Sequence, residues 1–145
     1  MLVRGEWQLR DDGVMRPIVR ARVGGDGIQV AENFLIDSGA DRSVLSAVLV
    51  TRLQLPARSA PPGFTLSGIG GTSAFVSVTT VMEFIRDDGG VVRVRGEFAG
   101  FTDPTATDLS ILGRDVLDHF DLVLSRRHSE ILLLAPRHQY RIEGT

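Results

Sequence analysis

Three clusters of glycine and aspartate punctuate this chain: Asp11–Gly13, Gly24–Gly27 and Asp87–Gly90. Such clusters close tight turns, because glycine accepts positive φ and aspartate hydrogen-bonds its own backbone. Segments beside them carry a two-residue rhythm. Across Met15–Val23, Ile18, Arg20 and Arg22 alternate with Val19, Ala21 and Val23, and Val91–Phe98 alternates in the same way. That period describes half-buried antiparallel strands. Two stretches read as helical instead. Ser46–Leu55 opens on an N-cap serine and is expected to end at Pro56; Gly113–Phe120 is expected to make about two turns, with Val116, Leu117 and Phe120 on one face. Leu55–Gly63 reads as a proline-rich loop, and Asp121–Pro136 as a closing hairpin. The expectation is a mostly-β domain with one or two short helices.

At 145 residues the chain is long enough to bury one core and is read as one domain, residues 1–145. All 16 basic residues are arginine, which excludes lysine Schiff bases and the lysine of a phosphate loop; the absence of cysteine excludes thiol nucleophiles, thiolate metal sites and disulfides. A net charge of −2 gives no electrostatic footprint for nucleic acid. The N-terminus carries Arg4, Glu6 and Arg10 and lacks the apolar run of a signal peptide, and no segment approaches the roughly 18 apolar residues of a membrane span. A soluble, cytoplasmic protein is expected, without cofactor, metal, membrane or nucleic-acid partner.

Several motifs fail. His119, His128 and His138 lack metal-ligand spacing and read as surface or turn residues. No G-x-S-x-G nucleophile elbow is present, and Gly68–Ser73 lacks the last glycine of a dinucleotide-binding loop. One stretch stands out. In Phe34–Ser46, FLIDSGADRSVLS, three apolar residues run into Asp37. The acid could simply close a turn through Gly39. Yet a carboxylate leaving an apolar strand loses solvation, and a lone buried carboxylate is costly unless paired or protonated. A second strand end, Ile111–Leu112, runs into Gly113 at the start of a helix. Between them lies Phe64–Val76, a glycine-tipped hairpin able to close over a ligand.

These three stretches, in this order, resemble the retropepsin-like aspartic proteases. Asp37-Ser38-Gly39-Ala40-Asp41 resembles the family's catalytic loop, Gly68-Ile69-Gly70-Gly71 its flap tip, and Ile111-Leu112-Gly113-Arg114-Asp115 the segment that opens its helix. The resemblance spans about residues 16–124 and implies a closed β-barrel-like fold with a flap hairpin. It also implies an aspartic endopeptidase acting on peptide or protein substrates. Because the chain carries one such catalytic loop, the second carboxylate must come from a second copy, giving a homodimer with Asp37 facing Asp37 across a two-fold axis. The two carboxylates would then share a proton and titrate as a coupled pair, favouring acidic to near-neutral pH.

By the same resemblance, Ser38 braces the two loops across the axis and Gly39 lets substrate backbone approach. Asp41 holds substrate backbone and pairs with Arg114. Ala40, Val44, Gly68, Ile69, Gly70 and Ile111 line the substrate path. The chain departs from the retroviral pattern at both ends, with an N-terminal extension (1–15) and a longer C-terminal hairpin and tail (125–145). A dimer built through the Glu130–Ala135 strand is the expected substitute for the interdigitated terminal sheet. Two alternatives remain: a non-catalytic retropepsin-like module for dimerisation or peptide binding, and a PilZ-like nucleotide-binding barrel built on Arg16 and Arg20.

Overall fold

A computed structural model of the protein describes residues 2–25, 27–59, 66–68, 71–73 and 75–135. Among these, twelve strands and two short helices follow one another. The strands are β1 (Leu2–Leu9), β2 (Met15–Val23), β3 (Val30–Ile36), β4 (Val44–Leu45), β5 (Arg58–Ser59), β6 (Leu66–Gly68), β7 (Gly71–Ser73), β8 (Phe75–Ile85), β9 (Val91–Phe101), β10 (Ser110–Leu112), β11 (Asp121–Ser125) and β12 (Glu130–Leu134). Helix α1 (Ala47–Leu53) follows β4, and α2 (Arg114–Leu117) follows β10.

The three glycine–aspartate clusters sit where β1 turns into β2, β2 into β3, and β8 into β9. In the last of these Gly89 has φ +84°, and Asp88 accepts the Gly90 N–H at 2.8 Å. The hairpin it closes is the longest in the fold, paired from Phe75↔Phe101 to Ile85↔Val91. Alternation also holds in β2 from Val19 to Val23, with Arg20 and Arg22 exposed. Ile18 breaks it. This residue is fully buried because β1 crosses the first half of β2, pairing Glu6 with Ile18.

Six strands close a barrel in the order β2-β3-β10-β4-β9-β8, sealed by Arg22↔Glu83 and Val23↔Met82 between β8 and β2. Closure leaves few exposed edges for stray pairing. Phe34, Leu45, Leu49, Met82, Phe84 and Leu112 fill its interior. One carboxylate is buried in the wall: Glu83 is held by Arg22 at 2.8 Å and Arg93 at 2.7 Å, so the buried charge is compensated.

Outside the barrel, β1 leaves β2 and pairs with β12, which pairs in turn with β11. Strand β12 therefore has a neighbour on each edge, β1 on one side and β11 on the other. This corrects the expectation that Glu130–Ala135 offers the pairing edge for a second copy: its backbone groups are already consumed within the chain. Trp7 ties this layer down, donating its indole N–H toward the carbonyls of Ser125 and Glu130, with Arg126 stacked over its ring at 5.1 Å.

The helices are shorter than expected. Ser46 caps α1, accepting from the Leu49 N–H at 3.2 Å, but the helix stops at Gln54, which adopts a left-handed conformation (φ 54°) two residues before Pro56. Helix α2 is one turn instead of two, since Asp118 already serves as its C-cap. Its Val116 and Leu117 are buried, and Phe120, just beyond, meets Phe84 edge-on at 6.2 Å.

Candidate active site

Strand β3 carries the chain to Asp37. Phe34 and Ile36 point into the core, while Leu35 and Asp37 are only half-buried. In a strand, residues i and i+2 share a face, so Asp37 belongs to the open Leu35 face of β3. The apolar run before it alternates, and the carboxylate is less deeply buried than three consecutive apolar residues imply. Its backbone is fixed from two sides: the Asp37 N–H donates to Leu112 at 3.0 Å, and its carbonyl accepts the Ala40 N–H at 3.2 Å. Its Oδ1 accepts the Gly39 N–H at 3.0 Å. A Cβ on Gly39 would lie 3.2 Å from that oxygen, so a side chain there would crowd the carboxylate.

The loop after Asp37 is latched to the start of α2. Strand β10 lies between β3 and β4, parallel to β3 (Leu112↔Ile36) and bridged to β4 at Ile111↔Val44. This arrangement delivers Gly113 beneath residues 40–42. The Arg114 N–H donates to Ala40 at 2.8 Å and the Asp115 N–H to Asp41 at 3.3 Å, while the Arg114 guanidinium donates to the Asp41 carboxylate. That ion pair is exposed, with Asp41 80% accessible, so its contribution to stability is small.

The stronger latch is anchored on a buried serine. Ser43, fully buried, donates both its N–H (2.9 Å) and its hydroxyl (2.6 Å) to Asp115 Oδ1, and its hydroxyl accepts the Gly113 N–H at 3.0 Å. At Gly113 a Cβ would stand 2.5 Å from the Arg42 carbonyl and 2.9 Å from the Ala40 oxygen. Only glycine allows this close approach of two backbones. Sequence reading gave Ser43 no role and quoted Asp115 only as part of a motif. The signal available was a serine in an apolar stretch, ambiguous until β10 brings residue 115 across the sheet.

A second polar cluster lies under the site. Glu32 Oε2 accepts from the hydroxyls of Ser46 and Ser110, both at 3.1 Å, and Ser110 Oγ accepts the Ser46 N–H at 2.9 Å. It joins β3, β10 and the cap of α1, with both serines buried.

The other residues singled out in the sequence are distributed as follows. Ser38 is exposed and its hydroxyl has no hydrogen bond among the described residues. Ala40 and Ile111 are half-buried, whereas Val44 is 4% exposed and packs between Ile111 and Ala99. Gly68 ends β6 opposite Gly71 of β7, and the tip between them, Ile69 and Gly70, lies outside the described residues. His119 and His128 are exposed, and His138 lies outside the described residues.

A cavity of about 520 Å³ is lined by Leu35, Leu109, Arg10, Asp12, Arg16 and Asp108, among others; Leu35 lies two residues before Asp37 on β3, and Asp37 itself does not line it. Two ion pairs, Arg10–Asp108 at 3.0 Å and Arg16–Asp12 at 2.6 Å, frame it. The Arg16 hydrogen bond, joined by the Val14 N–H, holds the Asp12 carboxyl below its usual range. Among the described residues no group of three or more acidic or histidine side chains could hold a metal ion.

The family model for the retroviral aspartyl proteases matches residues 14–125. The chain belongs to this family. Two solved structures of retropepsin type resemble it. The EIAV protease, in complex with the inhibitor HBY-793, is 26% identical, with a TM-score of 0.53 over 75% of this chain and 93% of that one. A retropepsin-like aspartic protease from Rickettsia conorii is 15% identical, with a TM-score of 0.53 over 92% of this chain and 88% of that one, and so speaks for the fold alone. No curated protein matches the chain. The matched span covers the whole Asp37 loop, the β6–β7 hairpin and the Gly113–α2 latch, so this member of the family carries its family's architecture from β2 to the end of β11. Arg16, on which the nucleotide-binding alternative relied, is engaged by Asp12 in the cavity wall.

Proposed function

We propose that the chain is an aspartic endopeptidase that works as a homodimer, with Asp37 of each copy supplying one carboxylate. The observation that carries this reading is the state of Asp37: a half-buried carboxylate at a strand end, held by the Gly39 N–H, with no cation paired to it among the described residues. One carboxylate cannot both remove a proton from water and donate one to a carbonyl. Two that share a proton can. In the dimer the ionised Asp37 takes a proton from water as its oxygen bonds to the scissile carbonyl carbon. The protonated Asp37 of the other copy gives its proton to the carbonyl oxygen. Collapse of the tetrahedral adduct then breaks the C–N bond, with the nitrogen taking up a proton and one carboxyl left protonated for the next cycle.

The remaining site residues take supporting parts. Ser38, exposed beside Asp37, braces the paired loops across the axis, and Gly39 leaves room for substrate backbone. Asp41, oriented by Arg114, holds a substrate N–H. Ala40, Val44, Gly68, Ile69, Gly70 and Ile111 take part in substrate binding. Replacing Asp37 with Asn keeps the shape and removes the charge. The expected result is loss of cleavage of a peptide library by at least a thousandfold, with the dimer intact by native mass spectrometry. An Asp37→Asn protein that cleaves like wild type sinks the mechanism. A wild type that cleaves nothing favours the non-catalytic module.

A further inference from the structure

The cavity that includes Leu35 is built from two parts of the chain. Leu35, Leu109, Arg16 and Asp108 belong to the span matched to the family, whereas Arg10, Asp11 and Asp12 precede it. The preceding part is a firm wall. The Gly13 N–H donates to the Arg10 carbonyl at 2.8 Å, the Arg10 N–H to Val14 at 3.0 Å, and the Val14 N–H to Asp12 Oδ1 at 3.0 Å. The Arg10–Asp108 ion pair joins this turn to the loop before β10. The more buried members of the lining, Leu109 and half-buried Leu35, are apolar, and all three aspartates are exposed.

We propose that this cavity receives a long basic side chain of a peptide substrate, lysine or arginine, and that Asp11, Asp12 and Asp108 select it. The inference rests on the peptidase reading, which lays a peptide over Asp37, and adds which side chain that peptide carries. Leu35 and Asp37 share a face of β3 with Cα atoms about 7 Å apart, so a side chain next to the scissile bond is within reach of the cavity.

Charge decides the class. Both lining guanidiniums are already engaged, Arg16 by Asp12, and Arg10 by Asp108 and Gln8. The acids also stand further out than the bases: the side chains of Asp108 and Arg10 are 77% and 25% exposed, those of Asp12 and Arg16 50% and 37%. Asp11, exposed on the turn, has no ion pair among the described residues. An arriving ammonium or guanidinium therefore meets carboxylate oxygens first, whereas an arriving carboxylate has to displace Asp12 or Asp108 from its arginine. The methylene stem of a lysine or arginine packs on the leucines while its charged head stays at the carboxylates. A purely apolar side chain would strip water from those charges without replacing it.

Two readouts separate this inference from the peptidase reading. In the first, wild type cleaves peptides with lysine, leucine or glutamate at each position flanking one scissile bond. At one position kcat/KM for lysine is expected to exceed that for glutamate at least a hundredfold and that for leucine at least threefold. The lysine advantage is expected to shrink in high salt, which screens exposed charges. Asp108→Asn is expected to cut the lysine-over-glutamate ratio at least tenfold and Asp11→Asn at least threefold, with circular dichroism checking the fold. In the second, Asp37→Asn, alone or combined with either substitution, binds the same peptides in a fluorescence anisotropy titration, which needs no cleavage. A lysine preference in binding that Asp108→Asn and Asp11→Asn weaken supports the cavity even where wild type cleaves nothing, and then the peptidase reading alone fails. Leucine or glutamate preferred at every position, or a lysine preference that neither substitution changes, overturns this inference and leaves the Asp37 mechanism standing. A wild type that neither cleaves nor binds any of the peptides overturns both.

Discussion

Ser43→Ala removes a single oxygen and tests whether the Asp37 loop depends on the latch to α2. The hydroxyl makes two bonds in a fully buried position, donating to Asp115 at 2.6 Å and accepting from Gly113 at 3.0 Å. Loss of a hydrogen bond to a charged group costs about 1.5–3 kcal/mol, and a buried N–H left without an acceptor about 1–3 kcal/mol. The two losses share one atom and are not additive. Asp115 also keeps the Ser43 N–H at 2.9 Å. A destabilisation of about 2–4 kcal/mol follows from those figures. Urea unfolding monitored by Trp7 fluorescence measures it, with wild type and variant compared at one protein concentration because association shifts apparent stability. Ser38→Ala, measured at a concentration where the protein is monomeric, is the control: an exposed hydroxyl with no hydrogen bond among the described residues, expected within about 0.5 kcal/mol of wild type. If Ser43→Ala also falls within that margin, the latch does not hold the loop and the structural argument for the site fails.

Two other outcomes follow from single features. Gly113→Ala sets a Cβ against the Arg42 and Ala40 backbones, which cannot rotate away as a side chain can, and the expected loss is at least about 1–3 kcal/mol, read as a lower urea midpoint. At acid pH, Asp88 is held below its usual value of 3.8 by the Gly90 N–H first and then by Arg86. The folded-state value being depressed, its contribution is present above pH 3.8 and lost as pH falls through the folded value. Asp88→Asn is therefore expected to narrow its stability gap to wild type as pH drops below 3.8, and a gap that is constant with pH refutes the assignment.

The parts legible in the sequence are those set by neighbours along the chain. Turns at Gly13, Gly27 and Gly89, the Ser46 cap and the alternation in β2 and β9 all follow from a few adjacent residues. The resemblance around Asp37 and Gly113 marked the two stretches that meet at the site. Contacts between distant segments were not legible. Ile18 is buried because β1 crosses it, Ser43 matters because β10 brings Asp115 to it, and Leu35 faces the cavity because Leu109 and Arg10 arrive from elsewhere. The apolar run Ile131–Leu134 is the clearest instance: read alone it looks like an open pairing edge, yet β1 and β11 occupy both of its edges.

The latch closes over a long stretch of chain. Ser43 and Asp115 are 72 residues apart, and Asp37 is anchored by Leu112. A growing polypeptide that has displayed Asp37 still lacks the strand that fixes it, and β1 waits further for β12. Pairing of this range makes folding slow compared with local helix formation. It also means that no fragment released early from the ribosome holds an ordered Asp37 loop. The order of synthesis alone keeps the carboxylate from being positioned until the residues up to Asp115 have been made.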